Sequence, residues 1–182
     1  MPLLAKELEL HPGDLFSLQY ERWPWSVAHT RSRQEKVLAR ALAEKNVPFY
    51  LPQIEKRRVR AGRNLVSHLP LFSGYVFVRG GADARDVARR SGVVVAIIDV
   101  DDQQRLDGEL RQIRELQLAG ASLELHDPIE TGDVVKINDG VFRGYRGIVL
   151  REKGRERLLV ELTLLRKAVA VEFARDALRR SR

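Results

Sequence analysis

Apolar residues in the first two thirds of the chain recur with two different periods, which predict strands and helices in alternation. Runs rich in β-branched and aromatic residues predict strands, whereas apolar residues spaced three and four apart predict amphipathic helices. The predicted strands span residues 25–30, 49–51, 71–78 and 93–98, and the predicted helices span residues 33–45, 83–90 and 106–118. This order indicates an α/β domain in which helices pack on a sheet.

The last third of the chain carries strand and turn signals. Residues 119–128 have no regular period and predict a linker, after which short strands are predicted at residues 134–137, 147–151, 158–162 and 168–171, with a final turn near Phe173. Asp139-Gly140 is a turn pair. Gly144 and Gly147 predict a bent ribbon whose backbone approaches another group closely. This pattern predicts a small all-β barrel.

The predicted fold class is therefore α+β, with two domains. We place an N-terminal extension at residues 1–21, an α/β domain at residues 22–118, a linker at residues 119–128 and an all-β domain at residues 129–182. Pro12-Gly13 interrupts the extension, which is predicted to be irregular or partly helical.

Composition and charge narrow the classes of protein that the chain can represent. Its formal net charge is +7, and residues 128–182 alone hold 13 basic and 8 acidic side chains, which is compatible with an anionic partner. The absence of cysteine excludes disulfides and cysteine-ligated zinc. No apolar run approaches the roughly 20 residues that span a bilayer, and the N-terminus does not resemble a secretory signal. We therefore expect a cytoplasmic protein.

Residues that could carry enzymatic chemistry are scattered along the chain. The four histidines, His11, His29, His68 and His126, share no spacing, and no glycine-rich phosphate loop follows a strand. His29 has no ligand-type residue near it in the sequence. The acidic run at residues 99–102 is better interpreted as a loop between a strand and a helix than as a cation site. We expect no enzymatic activity, no cofactor and no metal.

Aromatic residues in the strand predicted at residues 71–78 are the first candidate site. Tyr75 and Phe77 lie two apart, so their side chains point to the same face of the sheet, while Phe72 lies near the strand entry. One interpretation is that these aromatics belong to the core. The other is a partly exposed apolar patch that accepts helices of a partner.

A run of basic residues between two predicted strands is the second candidate site. It forms a predicted hairpin tip or loop at residues 55–63 and carries Lys56, Arg57, Arg58, Arg60 and Arg63. A charge run of this kind is often only a solvated loop. Its functional interpretation is contact with DNA phosphates, which adds affinity without choosing a sequence.

Several short motifs in one order resemble the NusG family of transcription elongation and antitermination factors. They are WSVAHT at residues 25–30, QEKV at 34–37, YLP at 50–52, PLFSGYVFV at 70–78, SGVV at 91–94 and GDVVKINDGVFRGYRGIV at 132–149. The last motif resembles the KOW motif, which belongs to a small β-barrel module. The resemblance covers nearly the whole chain and implies that the first domain is an NGN domain, an antiparallel sheet flanked by helices.

The resemblance also implies a function for each domain. The NGN-like domain would bind the clamp helices of RNA polymerase through His29, Phe72, Tyr75 and Phe77, and would suppress pausing or termination. The basic hairpin would contact upstream or non-template DNA. The KOW domain would recruit a further factor, such as a small-subunit ribosomal protein, through Phe142, Arg143, Gly144 and Arg146.

Two features depart from the general pattern of the family. General members carry an aromatic-Gly-Arg turn tied to contact with the factor Rho, but residues 164–168 read LLRKA here, which counts against Rho recruitment. Residues 158–177 mix strand and helix formers, and with the N-terminal extension they resemble specialised paralogues such as RfaH. In that case the segment could pack as helix on the Tyr75/Phe77 patch. The alternative function is a KOW-containing RNA-binding protein of the ribosome or its assembly.

Overall fold

The chain divides by its internal contacts into two units, residues Met1–Gln103 and Gln104–Arg182. The computed structural model describes residues 8–60, 62–126, 133–136, 146–152 and 155–172. Within these ranges no helix is both long and apolar enough to cross a membrane. The contacts group the third helix with the second unit, whereas the sequence grouped it with the first domain. Helices and antiparallel sheets confirm the α+β class.

Unit 1 follows the predicted alternation of strands and helices. Its elements are β1 (Leu10–His11), β2 (Trp25–Thr30), α1 (Glu35–Glu44), β3 (Phe49–Tyr50), β4 (Gln53–Arg60), β5 (Arg63–Pro70), β6 (Tyr75–Arg79), α2 (Ala82–Arg90) and β7 (Val94–Asp99). Five of the strands form one sheet in the order β1-β3-β6-β2-β7, and all of its pairs are antiparallel. β2 coincides with the predicted strand.

One cluster of the core lies between α1, α2 and one face of this sheet. Because side chains alternate along a strand, Val76 and Val78 of β6 point to this face together with Ala28 of β2. Leu38 and Leu42 lie one turn apart on α1 and pack against them, and all five side chains are fully buried. The period-two and period-3.6 patterns in the sequence therefore meet in one apolar layer.

The predicted N-terminal extension is in part a component of the sheet. Leu10 and His11 pair with Tyr50 and Phe49, so β1 is an edge strand. Leu15 is fully buried. The sequence did not reveal this because a two-residue strand has no measurable period.

The predicted basic loop is a long two-stranded hairpin. β4 and β5 each contain eight residues and pair from Gln53↔Pro70 to Arg60↔Arg63. The turn between them contains Gly62 at a φ of 72°, a left-handed conformation that glycine adopts at little cost. Residues 64–70 were given no strand in the sequence prediction.

Unit 2 contains a helix and a second antiparallel sheet. Its elements are α3 (Gln103–Leu118), which begins at the boundary between the units, and β8 (Leu123–His126), β9 (Asp133–Lys136), β10 (Arg146–Glu152), β11 (Arg155–Leu162) and β12 (Lys167–Glu172). The strand order is β8-β12-β11-β10-β9. Residues 123–126 were predicted as linker, but they pair with β12. Glu109 of α3 accepts hydrogen bonds from the hydroxyl and the amide of Thr163 at 2.7 and 3.2 Å.

The described part of the segment of mixed propensity, residues 158–172, is β-sheet apart from one 3-10 turn at Thr163–Leu165. β11 and β12 pair from Arg157↔Glu172 to Leu162↔Lys167, so residues 158–172 do not adopt the helical alternative. The turn predicted near Phe173 lies outside the described residues. Closure of the sheet into a barrel stays a prediction.

Gly147 confirms the expectation of a close backbone approach. A Cβ atom built on this residue would collide with the backbone oxygen of Leu159 and would lie 2.8 Å from Cδ1 of Leu158. Only glycine therefore fits at this position of β10 beside its neighbour β11.

Candidate functional site

One end of the unit 1 sheet carries a row of three neighbouring side chains. The register pairs His29 with Tyr75 on one side and with Ala96 on the other, so these residues share a face. The His29 and Tyr75 rings are stacked, with centroids 5.0 Å apart and planes 22° apart. Both are partly exposed, and Ala96 is exposed. We call Tyr75, His29 and Ala96 the open row.

A turn held by α1 positions the open row. The amide of Tyr75 donates to the carbonyl of Phe72 at 3.1 Å, and Gly74 has a φ of 86°, as the third position of a type II turn requires. The amide of Gly74 donates to Oε1 of the buried Glu35 at 2.6 Å. The sequence predicted a strand from residue 71, but this turn delays β6 until Tyr75.

The next row of side chains toward the centre of the sheet is buried. Phe77 is paired with Val27, and both are fully buried. Phe77 packs against Phe72 and Tyr50, with ring centroids 5.8 and 6.5 Å away. Phe72 is 2% exposed. The interpretation of Phe72 and Phe77 as a partly exposed patch is therefore wrong for this structure, and both belong to the core.

The edge of the sheet next to the open row contains a β-bulge. Ala96 pairs with His29 and Val94 pairs with Thr30, which leaves Val95 without a partner position. The side chain of Val95 is 61% exposed. Bulges of this kind redirect side chains and interrupt an edge. The run of three valines at residues 93–95 predicted a strand but gave no sign of the bulge.

The register of the hairpin assigns most of its basic residues to one of its two faces. Cross-strand partners share a face, and positions of one face alternate with those of the other. One face therefore contains four basic positions and no acidic one, and we call it the basic face: Lys56, Arg58, Arg60 and Arg63.

Arg57 lies at a position of the opposite face. Its Nε atom donates to Oε1 of Glu55 at 2.6 Å, and both side chains are exposed. This ion pair offsets the charge of Arg57, so the five predicted phosphate contacts do not form one equivalent set.

The open row and the hairpin are joined through a short connection. The hairpin ends at Pro70, the amide of Leu71 donates to the carbonyl of Pro52 at 2.7 Å, and the turn at residues 72–75 leads into Tyr75. The partly exposed aromatic pair and the basic hairpin thus lie at the same end of the sheet. In the described part of the chain no group of three His, Asp or Glu side chains could hold a metal ion.

The residues predicted to bind a partner of the KOW domain are only partly described. Phe142, Arg143 and Gly144 lie outside the described residues. Arg146 is the first residue of β10 and pairs with Lys136 of β9. The role of these four residues stays a prediction.

A family model supplies the comparison with known proteins. The model described as "Transcription termination factor nusG" matches residues 24–114, which is half of the chain. The match runs from the residue before β2 into α3 and so includes the open row and the hairpin. No curated protein matches the chain.

Among the solved structures that are similar to the chain are Thermotoga maritima NusG and the MjSpt4:Spt5 complex. Thermotoga maritima NusG, in a structure concerned with domain interaction, is 21% identical with a TM-score of 0.43, and the similarity covers 82% of this chain and 93% of that one. The MjSpt4:Spt5 complex in conformation B is 18% identical with a TM-score of 0.27, and the similarity covers 86% of this chain and 95% of that one.

Proposed function

Because the chain belongs to the NusG family and acts in transcription elongation, we propose that it is an antitermination factor whose unit 1 binds the clamp helices of RNA polymerase. The open row is the contact surface in this proposal. The observation that carries it is the stacked pair of His29 and Tyr75, which stays partly exposed although the neighbouring Val27 and Phe77 on the same face are fully buried. Aromatic side chains of this kind are frequent anchors in protein interfaces.

The position of the open row supports recognition of helices. Ala96 and Val95 extend it with small and branched side chains, both exposed, so helix side chains could pack against a shallow apolar strip. The hydrogen bond from Gly74 to Glu35 fixes the turn before Tyr75. The aromatic pair is thereby preorganised, which lowers the entropy cost of binding.

The basic face supports contact with upstream or non-template DNA. By register, its four basic positions belong to one face of a hairpin that extends from the end of the sheet where the open row lies. A polymerase bound at the open row would bring the hairpin near nucleic acid. Contacts of cations with phosphates add affinity and depend on salt.

The C-terminal sheet is the element that recruits a further factor in this proposal, with a small-subunit ribosomal protein as the expected partner. Rho is not expected, because residues 164–168 depart from the family's Rho-contact turn. The family consists of non-enzymatic transcription factors, and we propose no enzymatic activity for this chain. A ribosomal RNA-binding protein would not need unit 1, so the family match at residues 24–114 does not favour that alternative.

Transcription in vitro tests the proposal directly. Core RNA polymerase is followed across one pause site and one terminator, with wild-type protein or with the Tyr75→Ala variant. We expect the wild type to shorten the pause and increase read-through, and we expect the variant to need a higher concentration, by about tenfold or more, for the same effect.

A matched control tests whether the effect is specific to the open row. Leu118→Ala removes an exposed apolar side chain from the end of α3, far along the chain from the open row, and should leave the concentration dependence unchanged. Equal activity of Tyr75→Ala and wild type would reject the open row as the contact surface. No effect of the wild-type protein on either pausing or read-through would reject antitermination itself.

A further inference from the structure

The segment at residues 15–23, which precedes the family match, packs against the rest of unit 1. The match begins at residue 24, yet Leu15 before it is fully buried. The Phe16 ring lies 5.9 Å from the Trp25 ring and 5.4 Å from the Tyr50 ring, measured between centroids. This segment is therefore an addition to the matched domain that has its own place in the fold.

Arg79 fixes both ends of the segment. Its Nε atom donates to the carbonyl of Trp23 at 3.0 Å, and its Nη1 atom donates to the carbonyl of Leu15 at 3.4 Å. The guanidinium lies 4.7 Å from the centroid of the Trp25 ring, within reach of a cation–π interaction. Since Arg79 is 2% exposed, these contacts are buried and the backbone of the segment is held in one path.

The outer side of the same segment exposes large apolar side chains. Leu18 is 80% exposed and Trp23 is 46% exposed. The Tyr20 ring meets the Trp23 ring edge to face, with centroids 5.5 Å apart. A rigid segment that presents an indole to solvent is a candidate contact surface, because exposed apolar clusters mark interaction sites.

Trp23 also forms one wall of a groove. The groove has a volume of about 550 Å³ and is lined by Trp23, Pro24, Val47, Pro48 and Val87, among others. Gly80 and Ala84 also line the groove and lie close together, since a Cβ atom on Gly80 would lie 2.7 Å from the Cβ atom of Ala84. A cavity of this size accepts one large side chain together with its neighbouring backbone. It lies at the Trp25 end of β2, opposite to the open row.

The rim of the groove has an excess of positive charge. Arg22 and Lys45 line it and are exposed, and neither makes an ion pair with any residue in the described ranges. Asp83 is the acidic residue of the lining. Charges of one sign at the rim favour a partner of the opposite sign.

We propose that this groove, hereafter the Trp23 groove, is a docking site for a protein segment that carries an aromatic or leucine side chain flanked by carboxylates. The apolar side chain fills the cavity against the indole and the two prolines. The carboxylates face Arg22 and Lys45. The concave apolar lining favours a protein segment over nucleic acid, whose binding grooves combine basic tracks with stacked aromatics along a strand.

A peptide-display selection tests the proposal on the full chain. A random peptide library is selected on wild-type protein after removal of phage that bind the Trp23→Ala variant. We expect the recovered peptides to combine Asp or Glu with Phe, Tyr, Trp or Leu. The strongest peptide, made synthetically, should shift the emission of the exposed Trp23 to shorter wavelength, whereas Trp25 is 1% exposed and should not respond.

Two charge reversals provide the matched comparison. Lys45→Glu should weaken binding of that peptide about tenfold or more. Arg90→Glu reverses an exposed cation at the opposite end of α2 and should leave the affinity unchanged. Circular dichroism verifies that Trp23→Ala and Lys45→Glu stay folded.

Three outcomes would overturn the proposal. The first is that no peptides are recovered that distinguish wild type from Trp23→Ala. The second is that recovered peptides have no acidic bias and are insensitive to Lys45→Glu. The third is that a 12-nucleotide single strand or a second copy of the chain, measured by sedimentation, occupies the groove in a Trp23-dependent way.

Discussion

The carboxylate of Glu35 accepts a hydrogen bond from the backbone amide of Gly74 at 2.6 Å, and this bond connects the first turn of α1 to the turn before β6. Glu35 is 5% exposed, which is unusual for an acidic side chain. The bond satisfies a buried acceptor and at the same time holds the backbone that leads to Tyr75. The geometry of the candidate polymerase contact therefore depends on a residue that does not belong to it.

Removal of the Glu35 carboxylate should destabilise unit 1. Glu35→Ala leaves the amide of Gly74 without its partner, and we expect the free energy of unfolding to fall by about 1–3 kcal/mol. Glu35→Gln keeps an acceptor oxygen and should be destabilised less. Both tryptophans lie in unit 1, so urea unfolding followed by tryptophan fluorescence measures this unit. Equal stability of Glu35→Ala and wild type would contradict the role assigned to the bond.

Tyr75 and Phe77 should respond differently to truncation although they lie two residues apart. Phe77 is fully buried, so Phe77→Ala should destabilise unit 1 by about 3–5 kcal/mol. Tyr75→Ala removes a partly exposed ring and its stack on His29, which is worth about 0.5–1.5 kcal/mol, and should mainly weaken polymerase binding. Urea unfolding combined with a polymerase binding assay distinguishes the two effects. A Phe77→Ala variant that stays folded but no longer binds would restore Phe77 to the contact surface.

Features that depend on local sequence pattern could be predicted from the sequence. The burial of a side chain by residues from other elements could not. The strand character of residues 25–30 gave the bounds of β2. The spacing that places Tyr75 and Phe77 on one face was also right. Their different burial was not predictable, since Phe77 is covered by Tyr50 from β3 and by Phe72 from the turn before β6.

Short and irregular elements account for the other differences. β1 has two residues and β8 has four, and both are strands because a neighbouring edge was available for pairing, which no local pattern records. The eight basic, polar and apolar residues of β5 show no clean alternation. For the candidate site, the sequence supplied the basic residues of the hairpin, but the register was needed to separate Arg57 from the basic face.

The basic face predicts a salt dependence. The triple variant Lys56→Ser/Arg58→Ser/Arg60→Ser should bind an elongation complex more weakly, and the slope of log K against log salt should fall by about 0.9 for each phosphate that the variant no longer neutralises. We expect the free energy of unfolding to change little. Titrations at several salt concentrations measure the slope.

Arg57→Ser is the matched control for that experiment. Arg57 is on the other face and is paired with Glu55, so its removal should leave the slope close to that of the wild type. An equal fall of the slope for Arg57→Ser and for the single variant Arg58→Ser would show that phosphate contact does not depend on the face of the hairpin. An unchanged slope in the triple variant would make the hairpin a solvated element without phosphate contacts.

The close approach of β10 to β11 at Gly147 predicts a selective destabilisation of unit 2. In Gly147→Ala the added methyl group collides with the backbone oxygen of Leu159 and approaches Leu158, so strands β10 and β11 must separate. We expect the stability of this sheet to fall by about 3 kcal/mol or more. Thermal unfolding followed by far-ultraviolet circular dichroism should show an early transition, while tryptophan fluorescence from unit 1 keeps its midpoint.

Gly108→Ala in α3 is the control, because a Cβ atom there meets nothing within 4 Å and alanine favours helix by about 1 kcal/mol. If Gly147→Ala melts like the wild type, β10 can shift without cost, and the close approach does not explain the glycine.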